Sequence, residues 1–257
     1  MRPVILFGNQ KGGCGKTTTC RELSLQIASL GKKLCLIDLD PQGNLTKSLV
    51  TAEEPLPGLY EALMGENYAL APVNPQVDLL AGDYRLASLE KSLTAEMDAY
   101  NRLQDLLEDQ TFADYDYIFL DSPPSLGILT GNGLTAAGHI VIPMNPALYT
   151  LQGTNDLMQT ISKARRNLNP RLELLGVIIN AYDSVPVITR QIKKEILESF
   201  GEKVFQTHLS KTIKIEEAIA QRVSVTTLKN LDRSRAKVEV TALGKELLER
   251  LEANARR

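Results

Sequence analysis

The chain reads as an α/β protein: a mostly parallel, twisted sheet with helices on both faces. Three observations predict this. Short apolar runs alternate with helical patterns from end to end. Several of these runs, such as Leu34-Cys35-Leu36-Ile37 and Ile140-Val141-Ile142, are apolar on both faces, as buried parallel strands are. A glycine-rich run from Gln10 to Thr18 directly follows the first apolar run and directly precedes a helical pattern.

The strands are expected at 3–8, 34–38, 77–80, 116–121, 139–144, 174–180 and 203–207. Between them, 95–109 places Met97, Tyr100, Leu103, Leu106 and Leu107 near one helical face. The stretch 154–168 does the same with Leu157, Met158, Ile161 and Leu168. Prolines at 55, 57, 72 and 75 mark turns around a short helical insertion. No linker, repeat or break in composition appears, so one domain is expected over 1–257.

Composition narrows the class. Hydrophobic residues make up 43% of 257, which is ordinary for a globular core. No apolar run approaches a membrane span, and the first strand starts too early for a signal peptide. The three cysteines, Cys14, Cys20 and Cys35, are odd in number and lack C-x-x-C spacing. That argues against a disulfide framework, zinc or iron–sulfur, and fits a reducing cytoplasm. Net charge is −2 but uneven: residues 1–182 carry −6, residues 183–237 carry +4, and 238–257 are neutral.

The run Gln10-Lys11-Gly12-Gly13-Cys14-Gly15-Lys16-Thr17-Thr18 has the chemistry of a phosphate cradle. Glycines let the main chain approach an anion, and successive N–H groups at a helix start favour negative charge. Lys16 would reach the β- and γ-phosphates, and the Thr17 hydroxyl would ligate Mg²⁺. The run breaks the general formula G-x-x-x-x-G-K-[ST]. Gln10 stands where the first glycine belongs, and a second lysine, Lys11, follows it.

Two further strings sit at strand ends, where a parallel sheet lines its ligand crevice. Asp38-Leu39-Asp40-Pro41-Gln42-Gly43-Asn44 ends the second strand with two carboxylates suited to orienting water and hydrated Mg²⁺. Alone, such an aspartate reads more readily as a helix cap; beside the phosphate loop the metal and water reading prevails. Tyr117-Ile118-Phe119-Leu120-Asp121 is a hydrophobic strand closing on an aspartate that would approach Mg²⁺ through water. Ser122-Pro123-Pro124 then restricts the turn, which suits a switch near the γ-phosphate. Asn180 ends the run Val177-Ile178-Ile179; its amide fits either an adenine edge or a strand-end turn.

Together these strings resemble the deviant Walker A ATPases of the ParA/Soj type, in the ParA/MinD superfamily of P-loop NTPases. Pro143-Met144-Asn145-Pro146, Arg165 to Arg171 and Gly176 to Ile179 resemble later segments of the same family. The resemblance implies a Mg²⁺-dependent ATPase that cycles between ATP and ADP, with Gly12, Gly13, Cys14, Gly15, Lys16, Thr17 and Thr18 around the phosphates. It implies metal organisation by Thr17, Asp38 and Asp121, and water positioning by Asp40. It gives Lys11 a role across an ATP-sandwich homodimer, reaching the phosphates of the other subunit.

The family also binds double-stranded DNA non-specifically as the ATP dimer, through basic residues in its C-terminal third. Here that region offers Arg190, Lys193, Lys194, Lys211, Lys214, Arg222, Lys229, Arg233, Arg235 and Lys237. A solvated charged face is the competing reading of each. The implied partner is a ParB-class activator, and the implied location is the bacterial nucleoid in the cytoplasm. Ser210-Lys211-Thr212 and Arg222-Val223-Ser224 depart from the usual Pro-Arg-Asn and Gly-Lys-Pro. A MinD-like membrane regulator is the rival reading. It needs a basic amphipathic tail, whereas Leu243, Leu247, Leu248 and Leu251 lie among mixed charges spaced for docking on the core.

Overall fold

The computed structural model describes residues 2–51, 56–93, 96–146, 151–183, 187–228 and 234–255, with backbone only at 90 and 151–154. Seven strands form one sheet: β1 Val4–Phe7, β2 Leu34–Asp38, β3 Ala71–Asn74, β4 Val77–Leu80, β5 Tyr117–Asp121, β6 His139–Met144 and β7 Glu173–Ile179. Their order is β3-β4-β2-β5-β1-β6-β7. Every pairing is parallel except β3 with β4, which is antiparallel. The strands are buried on both faces, as expected of them. Ile5, Phe7, Leu34, Leu36 and Phe119 enter one core, and Leu6, Cys35, Ile37, Ile118 and Leu120 enter the other.

Ten helices cover the sheet among the described residues: α1 Lys16–Ala28, α2 Asn44–Leu49, α3 Leu59–Met64, α4 Leu86–Ser92, α5 Arg102–Leu106, α6 Ile128–Ala136, α7 Leu151–Asn167, α8 Val187–Phe200, α9 Ile213–Ala220 and α10 Arg235–Ala255. The last of these lies along α1, burying Val240, Leu243, Leu247 and Leu251. Gly244 permits the contact: a Cβ there would stand 2.7 Å from Gln26 Cγ.

Three expectations about elements are corrected. The segment 72–75 is not simply a turn. Pro72 lies in β3, an edge strand, where a missing N–H is tolerated. The helix expected over 95–109 is only α5, and Met97 is fully exposed at 104%. The strand expected at 203–207 does not form. Phe205 N donates to Val177 O at 2.8 Å, but the bridge at Val204 is isolated. On the outer side, Glu246 accepts the Gln206 and Thr207 N–H groups at 2.8 and 3.1 Å, and Arg250 donates to Lys203 O and Val204 O. Side chains of α10 satisfy the backbone there in place of a neighbouring strand.

At the end of α9, Arg222 adopts φ 54°. Its N–H donates to Ile219 O and the Val223 N–H to Ala218 O, both at 3.0 Å, the closing pattern that favours glycine. Arg222→Gly is expected to stabilise the protein by about 1 kcal/mol, raising the melting temperature by about 2–4 °C. A calorimetric scan showing no rise would contradict that reading of the turn.

Candidate functional site

The site is built where β1, β2 and β5 end side by side. Asp38 and Asp121 are register partners across β2 and β5, and Phe7 pairs with Asp121 across β1 and β5. Residues 8–15 then loop from β1 into α1. Gly15 caps α1 in the left-handed conformation, with φ 87°, and the first turn contains no acidic residue to repel an anion. The two lysines are set apart. Lys16 is 7% exposed and its Nζ donates to Lys11 O at 3.3 Å. Lys11 lies exposed on the outer rim of the loop. Thr17 and Thr18 are half-buried in the first turn.

Asn180 braces the loop from behind. Its Nδ2 donates to Cys14 O, Gly15 O and Thr19 Oγ1 at 3.2–3.3 Å, and its Oδ1 accepts the Ala181 N–H at 2.7 Å. A Cβ on Gly15 would fall 1.6 Å from that amide nitrogen. Both the donor and the acceptor of this amide are thus engaged within the protein. Cys14 is buried, and its thiol donates to Lys11 O at 3.1 Å; burial raises its pKa, with nearby Lys16 opposing the rise.

The three aspartates are not equivalent. Asp38 is fully buried and held by three hydrogen bonds: Oδ1 accepts the Asp40 N–H at 3.1 Å, and Oδ2 accepts the N–H and hydroxyl of Thr46, each at 2.8 Å. Burial, opposed by these bonds, pushes its pKa up to about 7. Its bonds hold the 40–46 turn against the end of β2. Asp40 is buried at the mouth of the crevice and accepts the Gln42 N–H at 2.9 Å.

Asp121 is also fully buried; the Thr17 hydroxyl lies beside its carboxylate, but no hydrogen bond of normal geometry closes on either oxygen among the described residues. Burial raises its pKa, as does Asp38; the Thr17 hydroxyl and Lys16 oppose the rise. An orphaned carboxylate beside a lysine and a threonine hydroxyl fits a divalent cation. Among the described residues, no group of three or more His, Cys, Asp or Glu could hold a metal by themselves. Mg²⁺ suits such a place, since it takes one or two protein oxygens and keeps water and phosphate for the rest. Ser122, next in the chain, is held by its Oγ and N–H to Phe7 O at 3.0 and 3.2 Å.

The basic residues do not converge to the same degree. Arg190, Lys193 and Lys194 lie on α8; Lys211 precedes α9 and Lys214 lies in it; Arg222 follows it; Arg235 and Lys237 open α10. Arg190, Lys211 and Arg222 are exposed. Lys194 is paired with Glu198 at 3.7 Å, Lys214 with Glu217 at 2.8 Å and Arg235 with Glu239 at 2.8 Å. Lys193 sits 4.7 Å from the Tyr182 ring centre. Lys229 and Arg233 lie outside the described residues.

One ion pair was not anticipated. Arg21 and Glu22, adjacent on α1 and both fully buried, form a salt bridge. Arg21 Nη2 also donates to Val223 O at 3.0 Å and Ser48 O at 3.4 Å. Glu22 Oε2 accepts the Ser224 hydroxyl at 3.0 Å and the Val225 N–H at 2.9 Å. The pair joins α1, one turn beyond the phosphate loop, to α2 and to the 223–225 turn. Its only signal in the sequence is two adjacent charges between Cys20 and Leu23.

Comparison with known proteins agrees with this geometry. A family model described as an AAA domain matches residues 2–174. The chromosome-partitioning ATPase Soj of Thermus thermophilus is 39% identical over 225 residues, 83% of each chain. The chromosome partitioning protein ParA of Caulobacter vibrioides is 36% identical over 221 residues, 84% of this chain and 83% of that one. Among solved structures, a cobyrinic acid a,c-diamide synthase from Mycobacterium smegmatis with bound ADP and magnesium superposes with a TM-score of 0.85 at 29% identity. It covers 99% of this chain and 97% of that one. On its identity to these partitioning proteins over most of its length, the chain belongs to the ParA/Soj family of the ParA/MinD superfamily.

Proposed function

We propose that the protein is a Mg²⁺-dependent ATPase that dimerises around ATP, binds DNA non-specifically in that state, and is released when a ParB-class partner stimulates hydrolysis. Repeated cycles would partition a chromosome or plasmid, or position another cargo. The observation that carries the reading is the separation of the two lysines: Lys16 is buried at the start of α1, and Lys11 is exposed on the rim of the same loop. In this reading the first holds a nucleotide in its own subunit and the second meets another copy.

Within this reading Lys16 and the N–H groups of Gly12 to Thr18 hold the phosphates. Thr17 and Asp121 would hold Mg²⁺, which when bound neutralises charge on the phosphate oxygens. Asp40 orients the attacking water, and Asp38 fixes the turn that carries Asp40. Lys11 supplies positive charge from the second subunit as charge develops in the transition state. Hydrolysis is slow until the activator arrives, because a switch has to persist to be useful.

The DNA-bound state is assigned to the nucleoid, in the cytoplasm. Among the described residues no helix is long and apolar enough to cross a membrane. The apolar face of α10, which a MinD-like anchor would have to expose, is covered by α1.

The direct test uses Asp40→Ala, which should bind ATP without turning it over. It is expected to shift long duplex DNA at low salt with ATP and not with ADP. Affinity should fall by about 10³-fold between roughly 50 and 200 mM salt if some six phosphates are contacted. No shift at low salt with ATP would end the DNA-binding reading.

A further inference from the structure

The two residues ahead of Lys11 do more than connect β1 to the loop. Asn9 Oδ1 accepts the Lys11 N–H at 3.1 Å, while Asn9 Nδ2 donates to Pro143 O at 2.8 Å, near the end of β6. Gln10, standing where the phosphate-loop formula has glycine, donates from Nε2 to Thr160 Oγ1 at 3.0 Å on α7. The Thr160 hydroxyl in turn donates to Asp156 O at 2.9 Å, which fixes its lone pairs toward Gln10. Around these amides the walls are largely apolar, with Leu6, Leu134, Ile140, Leu157 and Ile161 lining a small cavity.

The loop is thus held in two halves by different elements. The inner half, carrying Lys16, is fixed by the α1 helix start and by Asn180 beyond β7. The outer half, carrying Lys11, is fixed to β6 and α7 through Asn9 and Gln10, and meets the inner half at Lys11 O, which accepts from Lys16 Nζ and Cys14 Sγ. A lysine has a long flexible stem, so the direction of its first atoms decides where its ammonium group can reach. Displacing a charge by about 1 Å can lower a rate by about 10²-fold.

We propose that Asn9 and Gln10 are positioning residues for Lys11: they aim it at a nucleotide held by a second copy of the chain. The proposal rests on the cross-subunit reading of Lys11 given above. It assigns Pro143 and Thr160 as the fixed points of the device, and it gives Gln10 a task that glycine could not perform. Neither amide contacts Lys16 or the aspartates, so their loss should harm the partner's site and spare the subunit's own.

Mixed dimers test this. Asn9→Ala alone should lower phosphate release, measured with Mg²⁺, ATP and DNA, by about ten- to a hundredfold, with ATP affinity within about twofold of wild type. Mixed with an equal amount of Asp40→Ala, itself inactive, it should recover to about a quarter of the wild-type rate, the statistical share of sites in mixed dimers that pair an intact nucleotide site with an intact Lys11. Thr160→Val, an isosteric change outside the loop, should give a several-fold loss rescued by the same partner, and it guards against misfolding of the loop variant. Lys11→Ala mixed with Asp40→Ala is the control. If that control recovers and the Asn9→Ala mixture does not, Asn9 acts on its own site and the proposal is overturned. Wild-type turnover by Asn9→Ala alone also overturns it. If the control fails to recover, the cross-subunit reading itself falls and takes the proposal with it.

Discussion

Lys11→Ala is expected to reduce ATP hydrolysis by about 10³–10⁵-fold, the range that cations supplied in trans contribute to phosphoryl transfer. The size of the effect follows from where the charge acts. In the proposed dimer, an ammonium group brought to the phosphates by a second subunit would enter a site from which water is excluded on closure, so its field would be screened far less than at a surface. Lys16→Ala would be a different experiment, because Lys16 is buried in the subunit's own cradle and its loss removes nucleotide binding along with turnover. Lys11 is exposed, so its alanine variant should keep the wild-type melting temperature and circular dichroism. Phosphate release and sedimentation with ATP are the measurements. Unchanged turnover together with an unchanged ATP-dependent dimer would remove the cross-subunit role.

Glu22→Ala should lower stability by about 3–5 kcal/mol, or about 10 °C in melting temperature, because it leaves the guanidinium of Arg21 buried without a counter-charge. Burial lowers the Arg21 pKa and raises that of Glu22, with their mutual attraction opposing it in each case. Desolvation therefore outweighs attraction for both partners. The intact pair contributes little net stability by itself, yet half of it is costly. The loss also strips an acceptor from the Ser224 hydroxyl and the Val225 N–H. Arg21→Met combined with Glu22→Leu should recover much of the loss, since that change removes both charges together. Thermal unfolding of the three proteins decides the matter; a single variant melting within a degree or two of wild type would show that water reaches Arg21.

The elements legible in the sequence were those whose signal is local. The central strands β1, β2, β5 and β6 are apolar on both faces, and the phosphate loop and strand-end aspartates fall at fixed spacings from them. What the sequence misrepresented depends on distant partners. Val204 and Phe205 carry strand-like apolarity, but α10 supplies the groups that meet the adjoining backbone. Pro72 argued for a turn, although an edge position accepts it. Asn180 was read from its place at a strand end, and only the fold brings it against Gly15, 165 residues away. Asp38 and Asp121 look alike in sequence. Only the fold separates their surroundings: Thr46 and the Asp40 N–H bond to the first, and no hydrogen bond of normal geometry reaches the second among the described residues.

The grip of α10 on residues 203–210 has a consequence for crowding. Glu246 engages Gln206 and Thr207, Glu239 engages Ser210, and Arg250 covers Lys203 and Val204. A stretch that could have templated strand addition from a neighbouring molecule therefore offers few open backbone groups. For a protein proposed to bind DNA in the company of its own copies, fewer open backbone groups mean fewer routes to strand-templated association.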